Sequence, residues 1–180
     1  MRILRNETAA LVVDIQERLF PVMQEKEKLL KNCQILLTGL HHLNVPVEVT
    51  QQYTKGLGET VEGIKSAVPD FQFIEKRDFS CCDEPDVTAR LLSFHVKNIL
   101  ICGIESHVCV LQTAIDLKEQ GFNPVVVVDC ISSRTTDSLE IAKERFRHEG
   151  IMMTSAESIL FELTRSSASP DFKAISALVK

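Results

Sequence analysis

Three residues of three chemical types sit at or just past the ends of apolar, strand-like runs. Asp14 closes "ETAALVVD", Lys76 closes "FQFIEK", and Cys109 follows "NILICG" after the short polar turn "IESHV". A carboxylate, an ammonium and a thiol gathered at one place would form a nucleophile with its own acid–base partner. A thiol attacks a carbonyl as the thiolate, and a free pKa of about 8.5 leaves only a few per cent ionised at neutral pH. Three features of this chain could raise that fraction. Cys109 falls in the expected first turn of a helix, where the dipole favours negative charge. Lys76 would add a cation, and Asp14 could accept the thiol proton. The first-turn N–H groups could hold an oxyanion.

Each residue alone has a plainer explanation. A strand-end Asp usually caps a helix, a Lys between Glu75 and Arg77 is usually a surface charge, and free cysteine is usually packing. The argument for chemistry is therefore the convergence, and that depends on the elements that carry the three. Apolar runs at "ETAALVVDI", "VPVEVT", "FQFIEK", "NILICG", "NPVVVVDC" and "IMMTS" read as six strands. Helical spacing separates them over about Lys26 to Leu43, after Pro85 with Asp83 or Glu84 at the cap, and over about Ser106 to Gln120 before Gly121. Further helices are expected over about Asp137 to His148, at "AESILFEL" and after Pro170, while "QQYTKGLGETVEGIKSAVPD" reads as a long polar connection. This alternation predicts one domain, residues 1–180, with a three-layer α/β/α Rossmann-like fold around a six-stranded, mostly parallel sheet. In such a sheet the strand carboxyl ends share one edge, where ligands bind. Asp14, Lys76 and Cys109 would all meet there.

Composition narrows the partners. The chain has 180 residues, 44% hydrophobic and 25% charged, with a net charge of −5. No Lys/Arg cluster offsets that charge, so no nucleic-acid partner is expected. No apolar run approaches the roughly 20 residues of a membrane helix, and "MRILRNETAALVVD" enters its first strand too early for a targeting peptide. A cytoplasmic protein with no membrane partner follows as the expectation. The six cysteines, at 33, 81, 82, 102, 109 and 130, contain no C-x-x-C, and the five histidines lack metal-binding spacing. No metal and no cofactor are expected. "GLG" at 56–58 lacks the third glycine of a dinucleotide loop, and no G-x-S-x-G elbow supports a serine hydrolase.

The segments "LVVDIQ", "EKRDFS" and "GIESHVCV", with "VDCISSRTTDSLEIAKERFRHEGIMMTSAESILFEL" downstream, resemble the isochorismatase-like, or cysteine-hydrolase, superfamily over nearly the whole chain. The resemblance implies a catalytic triad of Asp14, Lys76 and Cys109. It also implies a cis peptide at Ile104–Glu105 and an oxyanion hole made by the N–H groups of Glu105 and Cys109. Two departures refine the expectation. Ser106 and His107 stand where the family commonly carries Thr-Asp or Thr-Asn. "TQQYTKGLG" lacks the Asp/His metal motif of nicotinamidases, which implies a metal-free member. True isochorismatases, which cleave a vinyl ether, typically lack the cysteine. The expected activity is therefore cysteine-dependent hydrolysis of a small amide-like (C–N) substrate through a thioester. Gln16 and Phe79, close in sequence to triad residues, are candidate substrate-binding residues. A homo-oligomer is expected from the resemblance alone. The competing expectation is a catalytically silent binding or scaffold protein that keeps the fold.

Overall fold

The apolar runs pair into one six-stranded sheet, parallel throughout, in the order β3-β2-β1-β4-β5-β6. A computed structural model describes residues 2–180. The strands are β1 (Thr8–Val13), β2 (Val47–Gln52), β3 (Ile74–Lys76), β4 (Asn98–Ile104), β5 (Asn123–Ser132) and β6 (Met152–Thr154). The helices are α1 (Lys26–His42), α2 (Thr54–Leu57), α3 (Glu62–Lys65), α4 (Pro85–Ser93), α5 (Leu111–Glu119), α6 (Thr136–His148), α7 (Ala156–Thr164) and α8 (Phe172–Leu178).

The central strands are buried along their whole length because both faces are covered. Successive side chains of β1 alternate between two cores. Ala10 and Val12 join Leu36, Leu40, Ile159 and Leu160 of α1 and α7 on one side. Ala9, Leu11 and Val13 join Val87, Leu91, Ala114, Leu117 and Phe146 of α4, α5 and α6 on the other. The expected three-layer architecture is therefore present. Glu84, Thr135 and Ser155 cap α4, α6 and α7 through their side chains, each accepting from a first-turn N–H.

Several boundaries differ from expectation. β3 is an edge strand that pairs only with Thr50–Gln52, so Phe71 to Phe73 stay outside it. β5 runs to Ser132 rather than Cys130, with a register shift against β4 between Ile101 and Gly103. The polar connection after β2 holds two short helices, α2 and α3. Gly103 is needed by close approach: a Cβ there would lie 2.1 Å from the Val13 carbonyl oxygen, at a φ of +128°. Among the described residues no helix is long and apolar enough to cross a membrane.

Candidate active site

β1, β2 and β3 end side by side, and the chain leaving β4 folds over them. Asp14 follows β1 with a φ of 51°, a left-handed conformation that Asp tolerates better than most residues. Gln16 N–H bonds back to the Asp14 carbonyl at 2.8 Å, closing a tight turn. The Asp14 side chain is fully buried. Its Oδ1 accepts from Thr50 Oγ1 at 2.8 Å, and its Oδ2 lies 2.6 Å from Lys76 Nζ. That second contact is an ion pair by distance, but no donor is aligned on Oδ2 as a hydrogen bond. The buried oxygen thus keeps acceptor capacity.

Lys76 closes β3 and reaches across the end of β2. Its ammonium is removed from solvent and also donates to the carbonyls of Asp78 (3.0 Å) and Phe79 (3.1 Å). Thr50 and Gln52, two apart on β2, lie beneath this crossing. Gln52 Oε1 accepts from the Cys109 thiol at 3.4 Å and from Lys76 Nζ at 3.5 Å. Neither is among the residues expected from the sequence, although the strand-exit rule that finds Asp14 and Lys76 applies equally to "TQQ" at the end of β2. Cys81 is a further buried thiol here, 3.7 Å from Thr50 Oγ1.

Cys109 does not ride an ordinary α-helical first turn. Ser106–Val110 forms a π-helical turn that leads into α5. The N–H groups of Val108 and Val110 both bond to the Glu105 carbonyl, at 3.1 and 3.2 Å, with Cys109 N–H between them in the chain. The Ile104–Glu105 peptide is cis. Ser106 opens this turn without capping it, and its hydroxyl donates to the Ser132 carbonyl at 2.8 Å. His107 Nδ1 is 2.9 Å from Ser133 Oγ, and Glu105 Oε2 accepts from both the backbone N–H and Nε of Arg134 at 3.1 Å. Three consecutive residues of the turn are thereby fastened to three consecutive residues leaving β5.

Cys109 lines a cavity of about 140 Å³ together with Leu19, Gln52, Leu57, Phe79, Glu105 and Val108. Phe79 is half exposed at this cavity. Gln16 is not among its lining residues. Its amide donates to the carbonyls of Gln52 and Gly58 and accepts from Gln52 N–H, tying the β1 exit to β2.

The electrostatics differ from the activated thiolate expected above. Burial, and then the Asp14 charge, push the Cys109 thiol up to about 12, and Lys76 only partly opposes them. Burial also raises Asp14, against the pull of Lys76 and Thr50. Burial alone would lower Lys76, but Asp14, with Cys81 and Cys109, outweighs it and holds the ammonium above its ordinary value. The resting site is a neutral thiol beside an ion pair. Among the described residues no group of three or more His, Cys, Asp or Glu is placed to hold a metal.

Residues 8–158 match the family model described as "Isochorismatase domain". The chain is 36% identical over 184 residues to "Secreted isochorismatase effector Isc1" of Phytophthora sojae, covering 99% of this chain and 87% of that protein. It is 35% identical over 180 residues to "Isochorismatase family protein 1B" of Dictyostelium discoideum, covering 97% and 87%. Among solved structures it resembles the MAR1 Ribonuclease of Caenorhabditis elegans, with a TM-score of 0.94, 34% identity and coverage of 99% and 92%. It also resembles the Escherichia coli YcaC gene product, described as an octameric hydrolase of unknown specificity, with a TM-score of 0.93, 25% identity and coverage of 99% and 89%.

Proposed function

The chain belongs to the isochorismatase family, and from that membership we propose that it is a cysteine-dependent hydrolase cleaving the C–N bond of a small amide through a thioester. The observation that carries the reading is the convergence of a buried Asp14–Lys76 ion pair, at 2.6 Å, with a cysteine that lines a cavity.

The mechanism follows from the neutral resting thiol. Because the Cys109 pKa is pushed up to about 12, its proton leaves as the S–C bond forms rather than beforehand. Asp14 takes that proton, and its own raised pKa makes it a stronger base than an exposed aspartate. Lys76 stays charged, holds the carboxylate in place and offsets negative charge growing on sulfur. The carbonyl oxygen becomes an oxyanion on the N–H groups of Glu105 and Cys109. Protonated Asp14 then delivers the proton to the departing nitrogen, leaving a thioester. Water, deprotonated by Asp14, cleaves that ester, releases the acid and restores the thiol.

We propose a homo-oligomer, supported by the octameric description of the E. coli neighbour, and a cytoplasmic location, supported by six free cysteines. Size-exclusion light scattering and cell fractionation test these two.

The activity test is a panel of small primary amides and ureido compounds, with ammonia release read out and the acyl group trapped on Cys109 by acid quench. Turnover with a Cys109 adduct is expected in the native protein and is lost in Cys109→Ser. Binding without turnover would favour the silent binding or scaffold protein. RNA, the substrate class named for the C. elegans neighbour, belongs in the same panel. A net charge of −5 and a small apolar-walled cavity lead us to expect no RNA cleavage.

A further inference from the structure

We propose that the cavity accepts a small uncharged amide with an apolar acyl group and rejects amides that carry a carboxylate. This deepens the cysteine-hydrolase reading and rests on it. The walls are Leu19, Leu57, Phe79 and Val108. The volume of about 140 Å³ is well under the roughly 300–1,000 Å³ of sites for drug-sized ligands. A body of a few carbons fits such a space.

Charge decides the rest. Apart from the thiol, the only acidic or basic side chain lining the cavity is Glu105. Its carboxylate is nearly buried and is engaged by Arg134. Among the described residues no Lys, Arg or His lines the cavity. Lys76, behind the thiol, has its ammonium engaged by Asp14, Asp78 and Phe79. Arg134 is paired with Glu105, Arg18 donates to the Gly56 carbonyl, and Arg77 stacks on the Tyr53 ring. A carboxylate entering here would lose its water, find no counter-ion and approach Glu105 as a like charge. A neutral amide meets none of those costs, and its alkyl portion gains contact with the apolar walls.

Two alkylating reagents of nearly the same size, iodoacetamide and iodoacetate, isolate the charge effect. Each forms one S–CH2 bond at Cys109 as iodide departs, and the thiol proton passes to Asp14. Rates at Cys109 are read by peptide mapping at neutral pH and compared with the same cysteine in the unfolded chain. The native protein should favour iodoacetamide by at least about tenfold beyond the unfolded ratio. Leu57→Lys, which adds a cation to the wall and leaves the Glu105–Arg134 pair intact, should return the preference to near the unfolded ratio. Iodoacetate keeping pace with iodoacetamide in the native protein would overturn the proposal. Turnover separates the two levels. Malonamate or succinamate hydrolysed faster than propionamide or butyramide overturns the neutral-substrate proposal and leaves the cysteine hydrolase standing. Cys109 reacting with both reagents no faster than Cys82 removes the nucleophile, and the proposal with it.

Discussion

Gln52 accepts the Cys109 thiol on the same amide oxygen that lies 3.5 Å from the Lys76 ammonium. One side chain from β2 thereby links Cys109 to the cation of the ion pair. Gln52→Ala should lower the Cys109 acylation rate by about 10- to 100-fold, while stability falls by about 1–3 kcal/mol, the range for the hydrogen bonds its side chain makes to Cys109, Lys76 and the Arg77 carbonyl. Single-turnover acylation against a denaturant melt checks the split. Equal activity in the variant would make Gln52 a bystander.

The Asp14–Lys76 pair is fully buried, so removing one partner strands a charge. Lys76→Met should cost about 3–5 kcal/mol, and Asp14→Asn a comparable amount. The double variant should be less destabilised than the sum of the singles, because it buries no net charge. A double-mutant cycle from urea unfolding gives the coupling directly. Additive losses would mean that the two charges do not support each other.

The thiol proton sets the alkaline limb. Cys109 is raised from an ordinary 9.0 to about 12, so in the folded protein it stays protonated where the unfolded thiol has ionised. Its contribution to stability is therefore complete below pH 9 and declines between pH 9 and about 12, by up to about 1.4 kcal/mol per pH unit. Cys109→Ala should flatten that decline relative to the parent. Because Asp14 takes the proton as the S–C bond forms, the Cys109 alkylation rate should stay nearly level over pH 7 to 10. A rate that climbs with pH and levels off near 8.5 would show an ordinary thiol reacting as its thiolate.

Gly103 lets β4 pass Val13 at the point where the chain turns toward Cys109. Gly103→Ala introduces a methyl 2.1 Å from the Val13 carbonyl oxygen at a φ that L-residues avoid. Destabilisation of at least about 3 kcal/mol is expected. Expression as stable protein with an unchanged melting temperature would count against the close approach.

Much of this is legible in the amino-acid sequence. The six apolar runs became the six strands, because burial on both faces demands continuous β-prone sequence. Asp14 and Lys76 could be placed at one edge because every strand of a parallel sheet exits in the same direction. The Asp86 N–H is capped by Glu84, one of the two residues expected there, since a cap needs only neighbours in the chain. Such features depend on residues a few positions apart, and pattern reading reaches that far.

The sequence by itself thus determined the strands, the layer architecture, the family and three candidate residues for the chemistry. Strand order needed the fold: β2 lies between β1 and β3, so Lys76 crosses it to reach Asp14 and brings Thr50 and Gln52 into the site. Ser106, His107 and Glu105 found their partners on Ser132, Ser133 and Arg134, contacts that no local cap rule anticipates. Gln16 is two residues from Asp14 yet serves the backbone of β2, because the turn after β1 points it there. The ionisation of Cys109 is the clearest case. A helix start and a nearby Lys favour a thiolate on paper, but desolvation and the Asp14 charge outweigh them in the folded site. Desolvation is a property of the packed surroundings, contributed by β1, β2, β3 and the β4 exit together, and only the tertiary structure decides it.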